Sequence, residues 1–555
     1  MSIAHSSSSA TTILCNGPIA SRSNGRSLAV GAEALAIAGN SILAVGSNDD
    51  ILHLQGPGTE IIDLQGRLIV PGFIDSHIHF YEWSLKLHDL QLDDVSSLEE
   101  LLARVSHRAK NLPAGQWLMG QGWNETDWAI PQMPSRAHLD SAAPDHPVLL
   151  WRCDLHLAVA NSRALQLAGI DDATLDPPEG RIERDASGTP NGILRELAIN
   201  LVRNAVAPPD AGRIEQAFSA GSRELHKLGI TGIHDIRLMH DSDGAKALRS
   251  FQELDRHNQL DLRSWVTLPG HQLNDIIGLG LQSGFGNDRL RLGHVKYFSD
   301  GGMGARTAWM LEPFLDAGTG MPLMDMEELA RDIERADSHG LAVMVHAVGD
   351  RANRELINIF ATLENRRASE NRNKPYKRSY KRSYYPHRIE HVQMIRPEDL
   401  KRLADLNLAL NVTPSNMILD INLIDQILAE RGQWTYPFRQ LLDTGAPLMF
   451  SSDCPVCSPA PLPAIHAAVT RQRRDATPEG GWYPEARIDA GEALAAFTST
   501  PAQVHKAYDI GTIEPGNKAD LAILSDNILA GAPETIADTT VDMTLFNGRI
   551  VHRLL

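Results

Sequence analysis

Leu68-Ile-Val-Pro-Gly-Phe-Ile-Asp75-Ser-His77-Ile-His79 is the stretch on which the fold turns. Its apolar first half is a strand signal. Side chains two positions apart on a strand share a face, so His77 and His79 project together from its C-terminal end. Two such imidazoles can share a metal ion, although His-x-His alone also occurs on ordinary surfaces. Seven more apolar runs follow: Gly229-Ile-Thr-Gly-Ile-His-Asp-Ile, Arg263-Ser-Trp-Val-Thr-Leu, Leu292-Gly-His-Val-Lys-Tyr-Phe, Leu341-Ala-Val-Met-Val-His, His387-Arg-Ile-Glu-His-Val, Leu408-Ala-Leu-Asn-Val-Thr and Pro447-Leu-Met-Phe-Ser-Ser-Asp. Polar amphipathic stretches such as Glu327 to His339 and Pro397 to Leu406 separate most of them. That alternation implies parallel pairing. With 68–75 as the first, eight strands predict an α/β chain folded as a (β/α)8 TIM-like barrel.

The flanks read differently. Thr12-Ile-Leu-Cys, Ala34-Leu-Ala-Ile-Ala, Ser41-Ile-Leu-Ala-Val and Glu60-Ile-Ile-Asp-Leu are short strands between Gly, Asn and Ser turns. Asp520-Leu-Ala-Ile-Leu and Met543 to Val551 repeat the pattern, with Asn547-Gly548 as a hairpin turn. One small β-sandwich built from both termini accounts for them. The expected organisation is 1–70 for its first part, 71–488 for the barrel, and 489–555 for a final helix and the second part. A barrel typically takes about 250 residues. The surplus, about 86–225, is read as an α+β subdomain inserted after strand 1, expected to overhang the strand ends where such barrels place their sites.

The 555 residues carry a net charge of −17, with 43% hydrophobic and 22% charged residues, a globular composition. An acidic surface disfavours nucleic acid as the main partner. The tandem basic run Lys374 to Tyr384 is either a solvated loop or a docking patch. Four cysteines, Cys15, Cys153, Cys454 and Cys457, make no disulfide framework. The N-terminus lacks the basic start and apolar core of a secretory signal, and no stretch approaches 18 apolar residues. The expectations are no membrane, a cytoplasmic location, a small-molecule substrate and, for assembly, a homodimer as the form to test.

Further ligand-type residues end strands of their own: His346 after Leu341-Ala-Val-Met-Val, His391 after Arg388-Ile-Glu, and Asp453 after Leu448-Met-Phe-Ser-Ser. One such residue is usually a cap or a core histidine. Together with His77 and His79, all at the same end of successive strands, they point to a metal site. Lys296 lies inside the fourth strand. As an ammonium it has no lone pair for a metal. It is either ion-paired, for example to Asp300, or carbamylated by CO2 into a carboxylate that can bridge two cations.

Pro71-Gly-Phe-Ile-Asp-Ser-His-Ile-His79 resembles the opening motif of the amidohydrolase superfamily. Val295-Lys-Tyr-Phe-Ser-Asp-Gly-Gly-Met-Gly-Ala-Arg-Thr-Ala308, Val345-His-Ala-Val-Gly-Asp-Arg-Ala352 and His387-Arg-Ile-Glu-His391 resemble its family 3 branch, which includes N-substituted formamide deformylases. Gly511-Thr-Ile-Glu-Pro-Gly-Asn-Lys-Ala-Asp-Leu-Ala522 resembles the superfamily's return to its sandwich. The resemblance covers about 11–552. It implies that His77 and His79 bind one metal, His346 and His391 a second, and carbamylated Lys296 bridges two ions, most simply zinc. Asp453 would touch the first metal and act as the catalytic base. Two departures stand out: Ala305 where the branch often has Ser, and Cys454-Pro-Val-Cys457 directly after Asp453. The C-x-x-C is read as packing.

The implied activity is metal-dependent hydrolysis of a non-peptide C–N bond (amide, N-substituted formamide or cyclic amide) by metal-activated hydroxide, with Asp453 as proton shuttle. The alternatives are hydrolytic deamination of a heterocycle on the same scaffold, or a non-catalytic binding or regulatory protein that keeps the fold. For substrate binding the candidates are His156, Trp123 and Arg306. His156 sits in Asp154-Leu-His-Leu-Ala, which resembles a family position near the substrate, and Arg306 lies in the family 3 signature. Trp123 belongs to the insert's group of tryptophans with Trp117, Trp128 and Trp151, which are either subdomain core or an apolar substrate wall.

Overall fold

The computed structural model describes residues 9–22, 27–87, 89–125, 128–152, 157–177, 180–237, 245–373 and 383–555. Eight strands form one parallel sheet in sequence order: β1 Phe73–Ile78, β2 Ile230–Asp235, β3 Arg263–Pro269, β4 Leu290–Phe298, β5 Val343–Ala347, β6 His387–His391, β7 Leu408–Val412 and β8 Leu448–Phe450. The chain just beyond β8 meets β1: Asp453 N donates to His77 O at 2.8 Å and His79 N to Cys454 O at 2.9 Å. These bonds close the ring at the end where the candidate ligands sit. The Asp75 carboxylate reinforces the seam, with Oδ1 accepting from His77 N and Ser452 N at 3.1 Å each.

The helices between strands form for ordinary reasons. In Met326–Ser338, Asp325 caps the start by accepting from Glu328 N at 2.9 Å. Leu329, Ile333 and Ala336 recur at helical spacing and are buried.

The opening stretch needs a correction. It is two strands, not one. Leu68–Pro71 pairs antiparallel with Leu521–Leu524 in the sandwich, and the barrel begins only at Phe73. Gly72 lies between them, where an added Cβ would stand 2.2 Å from Thr231 Oγ1. Only glycine lets the backbone pass that close.

Both termini build the sandwich. One sheet has the order Ser41–Gly46, Ala34–Ala38, Thr12–Cys15, Glu60–Asp63. The other runs Arg549–Arg553, Val541–Phe546, Leu521–Leu524, Leu68–Pro71, Ile19–Arg22, Leu28–Ala32. Leu14, Ile37, Ile69, Ile523 and Leu545 belong to their shared core. Asn547 and Gly548 take φ of 52° and 76° between the last two strands, as a tight hairpin requires.

Residues 84–217 form a separate compact unit around a six-stranded mixed sheet, Gly180–Arg184, Pro190–Glu196, Leu157–Ala160, Val148–Arg152, Leu118–Trp123, Leu90–Gln91. Trp123 is 0% exposed in its core, with its ring 6.4 Å from that of Trp128. Trp128 Nε1 donates to Val95 O. Of the two readings of Trp123, its burial supports the one in which it belongs to the subdomain core. His156, Cys153 and the basic stretch 374–382 lie outside the described residues. Cys454 and Cys457 are buried and not joined as a disulfide. No described helix is long and apolar enough to cross a membrane.

Candidate metal centre

The strand period sends His77 and His79 to one face of the β1 end, and the β8 seam brings Asp453 to meet them. His77 Nε2 lies 3.4 Å, and His79 Nε2 3.2 Å, from Asp453 Oδ1. The opposite ring nitrogens are engaged elsewhere. His77 Nδ1 donates to Glu390 Oε2 at 2.6 Å and His79 Nδ1 to Ile236 O at 3.1 Å. Each imidazole is therefore fixed in the tautomer that leaves Nε2 bare, the form a metal ligand needs.

The second pair of histidines adjoins the first. The His391 ring is 5.1 Å from that of His77, and the His346 ring is 4.5 Å from that of His391. His346 Nε2 donates to Gly301 O at 3.1 Å, which leaves Nδ1 bare. His391 and Asp453 hold φ of 71° and 56°. Left-handed backbone in non-glycine residues is costly and collects at functional positions.

Burial, the largest cause, keeps His77, His346 and His391 neutral. It lowers His77 to about 4 and His391 to about 3, and takes His346 well below its ordinary value; the Lys296 charge pushes all three the same way. Neutral imidazole is the ligating form. Burial would raise Asp453, but His77, His79 and His391 outweigh it and hold the carboxyl far below the usual carboxylate range.

Lys296 is buried in β4, and its Nζ has no hydrogen-bond partner among the described residues. Burial lowers it to about 8. An ion pair with Asp300 does not form. Asp300 Oδ1 accepts from Val348 N at 3.0 Å, and Oδ2 accepts from Gly349 N and Trp309 N at 2.8 Å each. Asp300 thus fixes the chain after His346, and burial raises it to about 7.

Of the other expected site residues, Arg306 is engaged within its own loop. Nε and Nη2 pair with Asp316, and Nη1 donates to Met303 O and Gly304 O. These bonds occupy most of its donors within the loop. Sequence reasoning missed Glu390, 313 positions from the His77 it holds. Its strand, His387-Arg-Ile-Glu-His391, is so polar that no single charge stands out in it.

The donor set fits a divalent metal. Ligand atoms of His77, His79 and Asp453 all lie within 4.8 Å of one another. Their bare nitrogens converge on a carboxylate, and Lys296 of β4 offers a buried amine with no hydrogen-bond partner among the described residues, its Nζ 4.6 Å from the centre of the Phe298 ring.

A parallel barrel with histidines, a lysine and an aspartate at its strand ends defines a metal-dependent hydrolase scaffold. The chain belongs to the amidohydrolase family, whose model matches residues 60–552, and it is accordingly a hydrolase acting on C–N bonds. It is 32% identical to Protein LONG AFTER FAR-RED 3 of Arabidopsis thaliana over 89% of this chain and 84% of that protein. It is 25% identical to the N-substituted formamide deformylase of Arthrobacter pascens, over 93% and 94% of the two chains. Among solved structures, an uncharacterized metal-dependent hydrolase from Pyrococcus horikoshii OT3 superimposes with a TM-score of 0.75 at 29% identity, covering 94% of this chain and 99% of that one.

Proposed function

We propose that this protein hydrolyses a non-peptide amide bond, with N-substituted formamides and cyclic amides as the leading substrate classes. The observation that carries this reading is the convergence of two bare imidazole nitrogens, His77 Nε2 and His79 Nε2, on Asp453 Oδ1, with His346 and His391 beside them. The likeness to an N-substituted formamide deformylase over nearly the full length supports the substrate class.

His77, His79 and Asp453 would hold one divalent ion, and His346 and His391 a second, with zinc suited to this nitrogen and oxygen set. Such ions, when bound, supply an acidified water and polarise a carbonyl. Lys296 would supply a further carboxylate: a buried amine with no hydrogen-bond partner among the described residues can add CO2, losing a proton, to become a carbamate.

Asp453 moves the proton. Ionised at neutral pH, its carboxylate would accept a proton from the attacking water and deliver it to the amide nitrogen. That nitrogen leaves poorly as an anion, so its protonation is needed for C–N cleavage. The products are a carboxylate (formate, for a formamide) and an amine.

The test is an assay of purified protein supplied with zinc and bicarbonate, against N-formyl amines, simple and cyclic amides, and aminated heterocycles. Carboxylate release from the amides is the expected result. Ammonia release from heterocycles, with the amides untouched, would replace this reading with a deaminase.

A further inference from the structure

The barrel interior holds a buried polar chain beyond the candidate ligands. Residues 388 and 390 share a face of β6, and both are fully buried. Arg388 donates to both oxygens of Glu390, Nε to Oε1 at 2.8 Å and Nη2 to Oε2 at 2.9 Å. Nη2 also donates to Ser76 O, beside His77, at 2.8 Å. Nη1 turns the other way, toward His234 Nδ1 at 2.7 Å and His505 Nε2 at 3.5 Å.

His234, His294 and His505 form a second buried cluster whose ligand atoms lie within 4.8 Å of one another. Two of its acceptor nitrogens already face a fixed cation, the Arg388 guanidinium. The cluster therefore serves an arginine rather than a metal ion. His505 is oriented for this by Nδ1, which donates to Pro501 O at 2.9 Å and leaves Nε2 as acceptor. His234 fits only because Gly293 has no side chain: an added Cβ there would stand 2.4 Å from His234 Nε2.

We infer that Arg388 and Glu390 are positioning residues for the metal centre, anchored by the His234–His505 pair on the far side of the guanidinium. The carboxylate of Glu390 fixes the His77 tautomer and ring. The fork of Arg388 fixes Glu390 and the backbone before His77. The two imidazoles hold the fork in place. Partners behind a ligating histidine of this kind typically change metal affinity by about 10–100-fold when removed. This inference rests on the proposed metal site, and the experiment separates the two.

Zinc affinity is measured by competition with a chromophoric chelator on the full-length protein, alongside thermal unfolding and circular dichroism. Wild type that binds no zinc, or a His77→Ala variant that binds as tightly as wild type, would remove the proposed site itself. Given zinc binding at His77, Glu390→Gln is expected to bind about 10–100-fold more weakly, with excess zinc restoring much of the lost activity. Losing one member of a buried ion pair can prevent folding. The double variant Arg388→Met/Glu390→Gln leaves no unpaired charge, so it carries the test in that case. His234→Phe, which leaves Glu390 in contact with His77, is expected to weaken zinc severalfold. Folded variants with zinc affinity within twofold of wild type would overturn the inference.

Discussion

Asp453 gives the sharpest test of the chemistry. Asp453→Asn keeps the side chain's size and one oxygen ligand but removes the base. It should retain the fold and much of the metal, yet lose kcat by about 100-fold or more. Near-normal kcat with full metal would make Asp453 structural. Lys296 offers a complementary experiment. Lys296→Ala should lose most activity, and a short-chain acid should restore part of it by standing in for the carbamate carboxylate. Absence of any rescue, with the two-metal complement intact, would argue against a bridging role. Most of the proposed ligands were visible as candidates because His77, His346 and Asp453 follow apolar runs and His79 lies two positions beyond His77, whereas Lys296 lies inside its strand and His391 follows a charged one. What stayed hidden was their support. Glu390, Arg388, His234 and His505 read as isolated polar residues, and only the closed barrel brings residues 77, 390, 388, 234 and 505 into one chain of hydrogen bonds, with the Arg388 guanidinium at its centre.

The strands show the same division between local and distant information. Most barrel strands were legible as apolar runs with β-branched residues, and the sandwich strands as short runs between turns. The break at Pro71-Gly72 was not, because apolarity is continuous across it while the pairing partner changes from Leu521–Leu524 to β2. The closing seam was equally silent, since it depends on Asp75 finding Ser452, 377 positions along the chain. Burial raises Asp75 to about 7, but its hydrogen bonds to Ser452 and His77 pull the other way, so it anchors both sides of the seam. Asp75→Ala would leave the N–H groups of His77 and Ser452 without their buried acceptor. Each such loss is worth roughly 1–3 kcal/mol. The variant should therefore unfold at distinctly lower denaturant concentration and bind zinc more weakly at His77 and Asp453. Unchanged denaturation midpoint and metal binding would show that the backbone bonds alone close the barrel.

Across the chain, buried imidazoles dominate the response to acid. Burial lowers His77 to about 4 and His391 to about 3, takes His234, His294, His346 and His505 well below their ordinary value, and lowers His226, His387 and His466. The unfolded chain takes up protons at these residues as pH falls through about 6.5, while the folded chain does not. Stability is therefore lost on acidification from about 6.5 downward. His77 alone accounts for about 2 kcal/mol by pH 5. Asp75 and Asp300, both raised to about 7 by burial, act in the opposite sense. Their folded forms hold protons that the unfolded carboxylates release, so they gain stability as pH falls from about 7. Asp89, raised to about 6, and Asp420, also raised by burial, act in the same sense, but these four carboxyls do not offset so many buried imidazoles, and the balance favours loss. The metal-free protein, prepared with chelator, should melt at clearly lower temperature at pH 5.0 than at pH 7.5. Zinc added at pH 7.5 should raise the melting temperature further by binding only the folded form. That increment should shrink at pH 5.0, because protons compete for the same imidazole nitrogens. A chelated protein equally stable at both values would mean that the imidazoles already carry protons in the folded state, contradicting the neutral ligand set on which the metal centre depends.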